Sequence, residues 1–85
     1  MQFQLNDKKD FLYYGEDEKT SICYLVFPKN PDGSQTITKV FVDEKYRGQG
    51  LAGKLMQEVV TYAKENNIKL DATCSYAIKW FEKNK

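Results

Sequence analysis

The chain contains no histidine, and its two cysteines, Cys23 and Cys74, lie far apart with no CxxC spacing. Those absences exclude the common metal and dithiol redox motifs, which need clustered Cys and His donors. They also remove the usual general base of a serine or cysteine nucleophile, so a protease or esterase triad would need an unusual substitute. Charge of one sign is lacking too. The 13 basic and 12 acidic side chains leave a formal net charge of +1, a poor footprint for general nucleic-acid or membrane-surface binding. No apolar run approaches spanning length, and the first residues, MQFQLNDKKDF, lack the basic start and apolar stretch of a secretion signal. We expect a cytoplasmic protein, acting as a monomer, with no nucleic-acid, membrane or metal partner.

What remains is 85 residues, 41% hydrophobic and 14% aromatic, enough for one small domain over 1–85 with a modest core. The first half is strand-like. Gln2 to Leu5 and Asp10 to Tyr14 flank a polar Asn6 to Lys9 turn, and Thr20 to Phe27 follows a turn from Gly15 to Lys19. In that third segment Ile22, Tyr24 and Val26 alternate with Cys23, Leu25 and Phe27, so both faces are apolar and a central strand covered on both sides is expected. The Pro28 to Ser34 segment, with Asn30 Pro31 Asp32 Gly33, predicts a hairpin turn, and Gln35 to Val42 returns as one strand. The period then changes. Leu51, Leu55 and Val59 with Ala52, Met56, Val60 and Ala63 mark one face of a helix from Gly50 to Asn66, while Lys54, Gln57, Glu58, Thr61, Lys64 and Glu65 occupy the other. Ile68 to Thr73 reads as a buried strand, and Ser75 can cap a last helix through about Lys83, with Ala77, Trp80 and Phe81 packing inward. The order is ββββαβα.

Chemistry concentrates in Arg47 Gly48 Gln49 Gly50 Leu51 Ala52 Gly53, where a strand gives way to a helix. Glycines let backbone N–H groups approach a ligand, and the first helical turn leaves donors unpaired and partially positive, so the run reads as a phosphate cradle. The glycines match GxGxxG, with Asp71 near the distance of a ribose-binding acid. A dinucleotide fold, however, needs the first glycine at the end of the first strand of a parallel βαβ sheet. Here Asp43 to Arg47 intervene after antiparallel-looking strands, and GxxxxGK followed by Ser or Thr is absent.

Parsed instead as RxxGxA, through Arg47, Gly50 and Ala52 after the Val40 Phe41 Val42 strand, the run resembles the acetyl-CoA signature of the GNAT superfamily of N-acetyltransferases. More closely, the chain resembles the short stand-alone N-acetyltransferase-domain proteins of the YjdJ-like branch, on Glu65 Asn66 Asn67 Ile68 Lys69 Leu70 through Cys74 Ser75 Tyr76 Ala77. The resemblance implies an α+β, compact GNAT fold: a largely antiparallel mixed sheet with splayed strands, packed by two helices. It further implies acetyl-CoA as cofactor, with its pyrophosphate on the amides of Gly48, Gln49, Gly50, Leu51, Ala52 and Gly53. The pantetheine would pair with the main chain at Phe41 and Val42, in a gap between the Gln35 to Val42 and Ile68 to Thr73 strands. Arg47 either adds charge or braces the loop.

The implied activity is transfer of acetyl from acetyl-CoA to an unidentified amine, a protein side chain or small amine, directly or through Cys74. The alternative is a non-catalytic acyl-CoA-binding module. Where many larger relatives carry an Asn and, seven positions on, a Tyr acid, this sequence has Cys74 and Phe81, and Lys39 stands where the short branch tends to carry a His. Cys74 precedes a helix N-terminus, which favours thiolate, so it is either the acetyl-accepting or proton-donating group or a small apolar residue at a strand end. Tyr76 offers a hydroxyl nearby. Asp43 and Glu44 are either proton relays or solvated acids, and Lys54 and Lys79 either meet cofactor phosphates or form a soluble face.

Overall fold

The computed structural model describes residues 3–15 and 21–84. Gln2, Thr20 and Glu16 to Lys19, which enter the expected strand and turn boundaries, lie outside the described residues. Strands β1 (Phe3–Leu5), β2 (Phe11–Tyr14), β3 (Cys23–Val26), β4 (Gln35–Ile37) and β5 (Lys39–Val42) precede a 3₁₀ turn at Glu44–Tyr46. Helix α1 (Leu51–Glu65), strand β6 (Leu70–Ala72) and helix α2 (Ser75–Lys83) follow. An antiparallel sheet has the order β1-β2-β3-β5, and β4 pairs separately and in parallel with β6. This is the expected α+β arrangement of a mostly antiparallel sheet and two helices.

The turns form where side chains can replace backbone partners. Asn6 Oδ1 accepts from the amides of Asp10 and Phe11, both at 3.0 Å, closing the β1–β2 hairpin. At the next turn the Asp32 carboxylate accepts from the Ser34 hydroxyl at 2.6 Å and the Ser34 amide at 3.0 Å. Those bonds, the hydroxyl first, hold the Asp32 carboxyl below its usual range.

Strand β3 is central, as its composition predicts, but its two faces differ. Cys23, Leu25 and, just past the strand, Phe27 are fully buried against Leu55, Met56 and Val59 of α1. The opposite face is only half-buried: Tyr24 stacks between Phe11 and Phe41, with ring centroids 5.1 and 5.0 Å apart, and Lys39 Nζ lies 5.6 Å from the Tyr24 ring. The apolar pattern on both faces thus has two causes. One is a helix-covered core, the other an aromatic ladder across neighbouring strands.

The expected Gln35 to Val42 strand is broken in two at Thr38, and the break positions the site. Gln35, Thr36 and Ile37 are in register with Leu70, Asp71 and Ala72, and the Ile37 carbonyl accepts from the amides of Thr73 at 3.0 Å and Cys74 at 3.2 Å. The next amide, Thr38 N–H, donates to the Val26 carbonyl at 2.9 Å instead. The carbonyl and the N–H of the single Ile37–Thr38 peptide therefore serve different partners, the chain leaving β6 on one side and β3 on the other, so the two strands part. Past Thr38, β5 pairs with β3 and is the last strand of its sheet, so that among the described residues no strand covers its far edge.

Gln35 pins the point of origin. Its side chain is 2% exposed, and its amide nitrogen donates to the carbonyls of Phe27 at 2.8 Å and Lys9 at 3.0 Å. Gln35→Leu fills similar volume but strands two acceptors, so we expect a loss of about 2–3 kcal/mol in urea unfolding. A variant as stable as the parent would remove Gln35 from this role.

Helix α1 buries Leu51, Leu55, Met56, Val59 and Ala63, which is the stripe that 3.6-residue periodicity selects. It ends where Asn66 donates from its amide and side chain to the Tyr62 carbonyl, and Asn67 takes a left-handed φ of 55°. Helix α2 buries Ala77 fully, and Trp80 and Phe81 pack partly against the core.

Candidate functional site

Past the end of β5, Asp43 caps the 3₁₀ turn, its carboxylate accepting from the Lys45 amide at 3.0 Å. Its amide donates to the Ile22 carbonyl at 2.7 Å, tying the turn to β3. Arg47 then folds back, and its Nε donates to the Val42 carbonyl at 3.2 Å. Of its two expected roles, bracing the loop against the strand end is the one this geometry displays.

Gly48 and Gly50 have φ of 88° and 76°, the left-handed region that L side chains rarely adopt. A Cβ at either position would meet nothing within 4 Å, so backbone angle, not crowding, calls for glycine. Gly50 is also the N-cap of α1, and no side chain caps that end. The first intrahelical bond runs from Lys54 N–H to the Gly50 carbonyl at 3.1 Å, leaving the preceding amides without helical acceptors. No acidic residue occupies the first turn, so the partial positive charge at the start of this 15-residue helix is not neutralised by its own side chains.

These donors border a cleft of about 210 Å³ lined by Val42, Tyr46, Arg47, Gly48, Gly50, Leu51, Ala52, Gly53 and Tyr76. Of the expected cofactor residues, the structure brings together Val42, Arg47, Gly48, Gly50, Leu51, Ala52 and Gly53. Gln49 is exposed in the loop but does not line the cleft. The Phe41 side chain lies in the aromatic ladder and does not line the cleft. Gly53 is helical, and a Cβ there would sit 4.0 Å from the Tyr76 hydroxyl. At the third glycine of GxGxxG a side-chain methyl would thus make only an ordinary van der Waals contact with α2.

Tyr46 and Tyr76, 36% and 40% exposed, form walls that the sequence pattern does not assign. In the sequence Tyr76 offers only a hydroxyl near Cys74. Its placement depends on how α2 packs beside α1, a tertiary relation with no local signal.

The N-cap of α2 is Cys74 and not the expected Ser75, which is the first helical residue; Cys74 is half-buried with its side chain packed against the core, and it makes no side-chain cap bond. It sits where β6 leaves β4, but the glycine cleft is lined by Tyr76 rather than by Cys74. Lys39 is exposed and lies over Tyr24 on the outer face, while Phe81 packs edge-on to Trp80 at 5.7 Å. Asp43 and Glu44 lie outside the cleft lining. Among the described residues no group of three His, Cys, Asp or Glu side chains is placed to hold a metal ion, and no helix is long and apolar enough to cross a membrane.

The two thiols should behave differently. Burial pushes the Cys23 thiol from 9.0 up to about 11. In a native-state assay with an aromatic disulfide at pH 8, Cys74 reacts and Cys23 stays unmodified until the chain unfolds; equal rates would contradict this placement. Because the folded state holds the Cys23 proton to higher pH, stability is intact below about pH 9 and falls as pH rises from 9 towards 11. Cys23→Val should lose that slope.

An α+β arrangement with two diverging strands and an uncapped, glycine-started helix beside them defines the GNAT fold class. The chain belongs to the GCN5-related N-acetyltransferase family, whose model matches residues 10–85. It is similar to the solution structure of a GCN5-like candidate N-acetyltransferase from Staphylococcus aureus, with 29% identity and a TM-score of 0.77 over 98% of this chain and 79% of that one. A GNAT-family acetyltransferase from Staphylococcus aureus Mu50 matches with 20% identity and a TM-score of 0.64, over 87% of this chain and 49% of that one. A ribosomal-protein-alanine N-acetyltransferase from Brucella melitensis matches with 16% identity and a TM-score of 0.55, over 73% and 47%. These last two share the fold, and the chain spans about half their length. A search of curated proteins returned no match.

Proposed function

We propose that this domain binds acetyl-CoA and passes its acetyl group to an amine. The observation that carries the reading is the uncapped, acid-free start of α1 at Gly50, opening on a cleft beside the far edge of β5. The amides of residues 48–53 would receive the pyrophosphate. Pantetheine would add to the β5 edge at Phe41 and Val42, directing the thioester into the opening between β5 and β6.

In direct transfer, the neutral amine attacks the thioester carbonyl, the carbon–sulfur bond breaks, and the departing CoA thiolate takes up a proton. In the alternative route the Cys74 thiolate attacks first, releasing CoA and forming an acetyl thioester on Cys74, which the amine then resolves. Intact mass separates the two. An acetyl adduct on the parent chain, with activity lost in Cys74→Ala, supports the covalent route; no adduct and full activity in Cys74→Ala supports direct transfer.

A second reading, an acyl-CoA-binding module without turnover, is favoured by Phe81, which has no hydroxyl and packs against Trp80. Incubation with acetyl-CoA and a panel of small amines and lysine peptides, followed by release of free CoA, decides between them. Amine-dependent CoA release supports the transferase; binding with release no faster than the protein-free rate supports the module.

A further inference from the structure

Strand β6 has two edges, and β4 takes only one of them. On that side the Lys69 carbonyl accepts from the Gln35 amide and the Thr73 amide donates to the Ile37 carbonyl, both at 3.0 Å. Residues 69, 71 and 73 therefore turn their peptide groups to β4, and alternation along the parallel ladder turns the N–H and C=O of Leu70 and Ala72 the opposite way. Among the described residues no strand pairs with that outer edge, and no backbone group takes up those two donors and two acceptors.

A groove of about 460 Å³ lies along the edge, lined by Leu70, Asp71, Ala72, Ile78, Phe81 and Glu82. Successive strand residues point to opposite faces, so a hollow that touches all three of residues 70, 71 and 72 sits at the strand's edge, where a further strand would run. Leu70, Ala72 and Phe81 pack partly against the core and make an apolar wall, which Ile78, 41% exposed, extends into solvent. Asp71, on the other face of β6, and Glu82 of α2 are both exposed. No Lys or Arg lines the groove, and Lys69, the nearest cation along β6, acts on Asp32.

These features select the occupant. Outward peptide groups at alternate residues are satisfied in register by an extended backbone, not by a helix. Two acids with no cation in the groove select positive side chains. A second copy of β6 fits badly, because the antiparallel register that uses all four outward groups sets Asp71 directly opposite its own copy, and like charges so placed repel. With three residues in β6, main-chain pairing alone is weak, so side chains decide the partner.

We infer that the outer edge of β6 docks an extended segment of a partner protein as an added strand, with apolar side chains against Leu70, Ala72, Ile78 and Phe81 and basic ones against Asp71 and Glu82. The groove shares no residue with the glycine cleft. The inference therefore goes beyond the transferase reading and stands without it.

Three capped synthetic peptides test it on the intact chain: an alternating valine–lysine hexapeptide, its valine–glutamate counterpart, and the valine–lysine peptide N-methylated at every backbone nitrogen. Amide NMR and hydrogen exchange read the edge. The valine–lysine peptide is expected to shift the Leu70 and Ala72 amides and slow their exchange, while the Thr73 amide, already bonded to Ile37, keeps its rate. The other two peptides leave the edge unchanged. Asp71→Lys/Glu82→Lys, at two exposed positions, weakens valine–lysine binding about tenfold, the scale of two exposed ion pairs turned repulsive. The same variant gains binding of the valine–glutamate peptide, which shows that its edge is intact. Equal binding of the N-methylated peptide, indifference to the charge reversal, or no response to the valine–lysine peptide overturns the inference. So does protection of the Leu70 and Ala72 amides in the chain alone as its concentration rises, which assigns the edge to a second copy. None of these readouts involves CoA, so acetyl transfer is judged separately.

Discussion

Gly50→Val lowers CoA affinity about tenfold, and Gly50→Asn lowers it far less. Gly50 has a φ of 76°, with nothing within 4 Å of the place a Cβ would take, so the substitution acts through the backbone alone. Holding an L residue left-handed costs roughly 1–2 kcal/mol, more for a β-branched one, whereas Asn visits that region readily. The valine variant can relieve the strain by leaving the left-handed conformation, which turns the uncapped amides of α1 away from a common centre. Binding must then restore the conformation, and affinity falls by the fraction of molecules that hold it. Calorimetry with CoA checks this, with far-ultraviolet circular dichroism confirming that α1 persists. Equal affinities in all three proteins would mean that the glycine loop does not hold the cofactor.

Phe27→Ala costs about 3–5 kcal/mol, the usual range for a fully buried aromatic. A domain of this size has a total stability of about 4–13 kcal/mol at the ordinary value per residue, so much or all of it is removed. Phe27 is 0% exposed and meets Tyr62 of α1 edge-on at 6.2 Å. It also precedes the turn that returns the chain to β4, so the cavity opens beside the point where β4 and β5 part. Phe41→Ala, which truncates a half-buried ring of the outer ladder, should cost only about 1 kcal/mol beyond its area. Urea unfolding of both variants tests which face of the sheet carries the core. A smaller loss at Phe27 than at Phe41 would invert the assignment.

The parts of this molecule that can be read from sequence are those decided by near neighbours. Leu51, Leu55, Met56, Val59 and Ala63 are buried because helical spacing puts them on one stripe, and they are legible for that reason. Gly48 and Gly50 are left-handed as a tight turn into a helix requires, while Gly53, identical in type, is simply helical. The division of Gln35 to Val42 at Thr38 is not legible. The segment has continuous strand character, and its break arises because Ile37 bonds to β6 and Thr38 to β3, two partners distant in sequence. The same holds for the outer face of β3, where an apolar pattern that fits a second covering layer instead builds the Phe11, Tyr24 and Phe41 stack. Tyr46 and Tyr76 become cleft walls only through the docking of their elements. Sequence alone leaves Arg47 as either a charge or a brace, and its bond to the Val42 carbonyl displays the brace.

Whether the start of α1 holds the pyrophosphate of acetyl-CoA is the central question, and an amide NMR titration addresses it before any acceptor is known. The prediction is that CoA and acetyl-CoA shift the amides of residues 48–53 together with those of Phe41 and Val42, while ATP and NAD at the same concentrations shift them much less. Equal responses to ATP or NAD, or shifts that leave residues 48–53 unmoved, would contradict it.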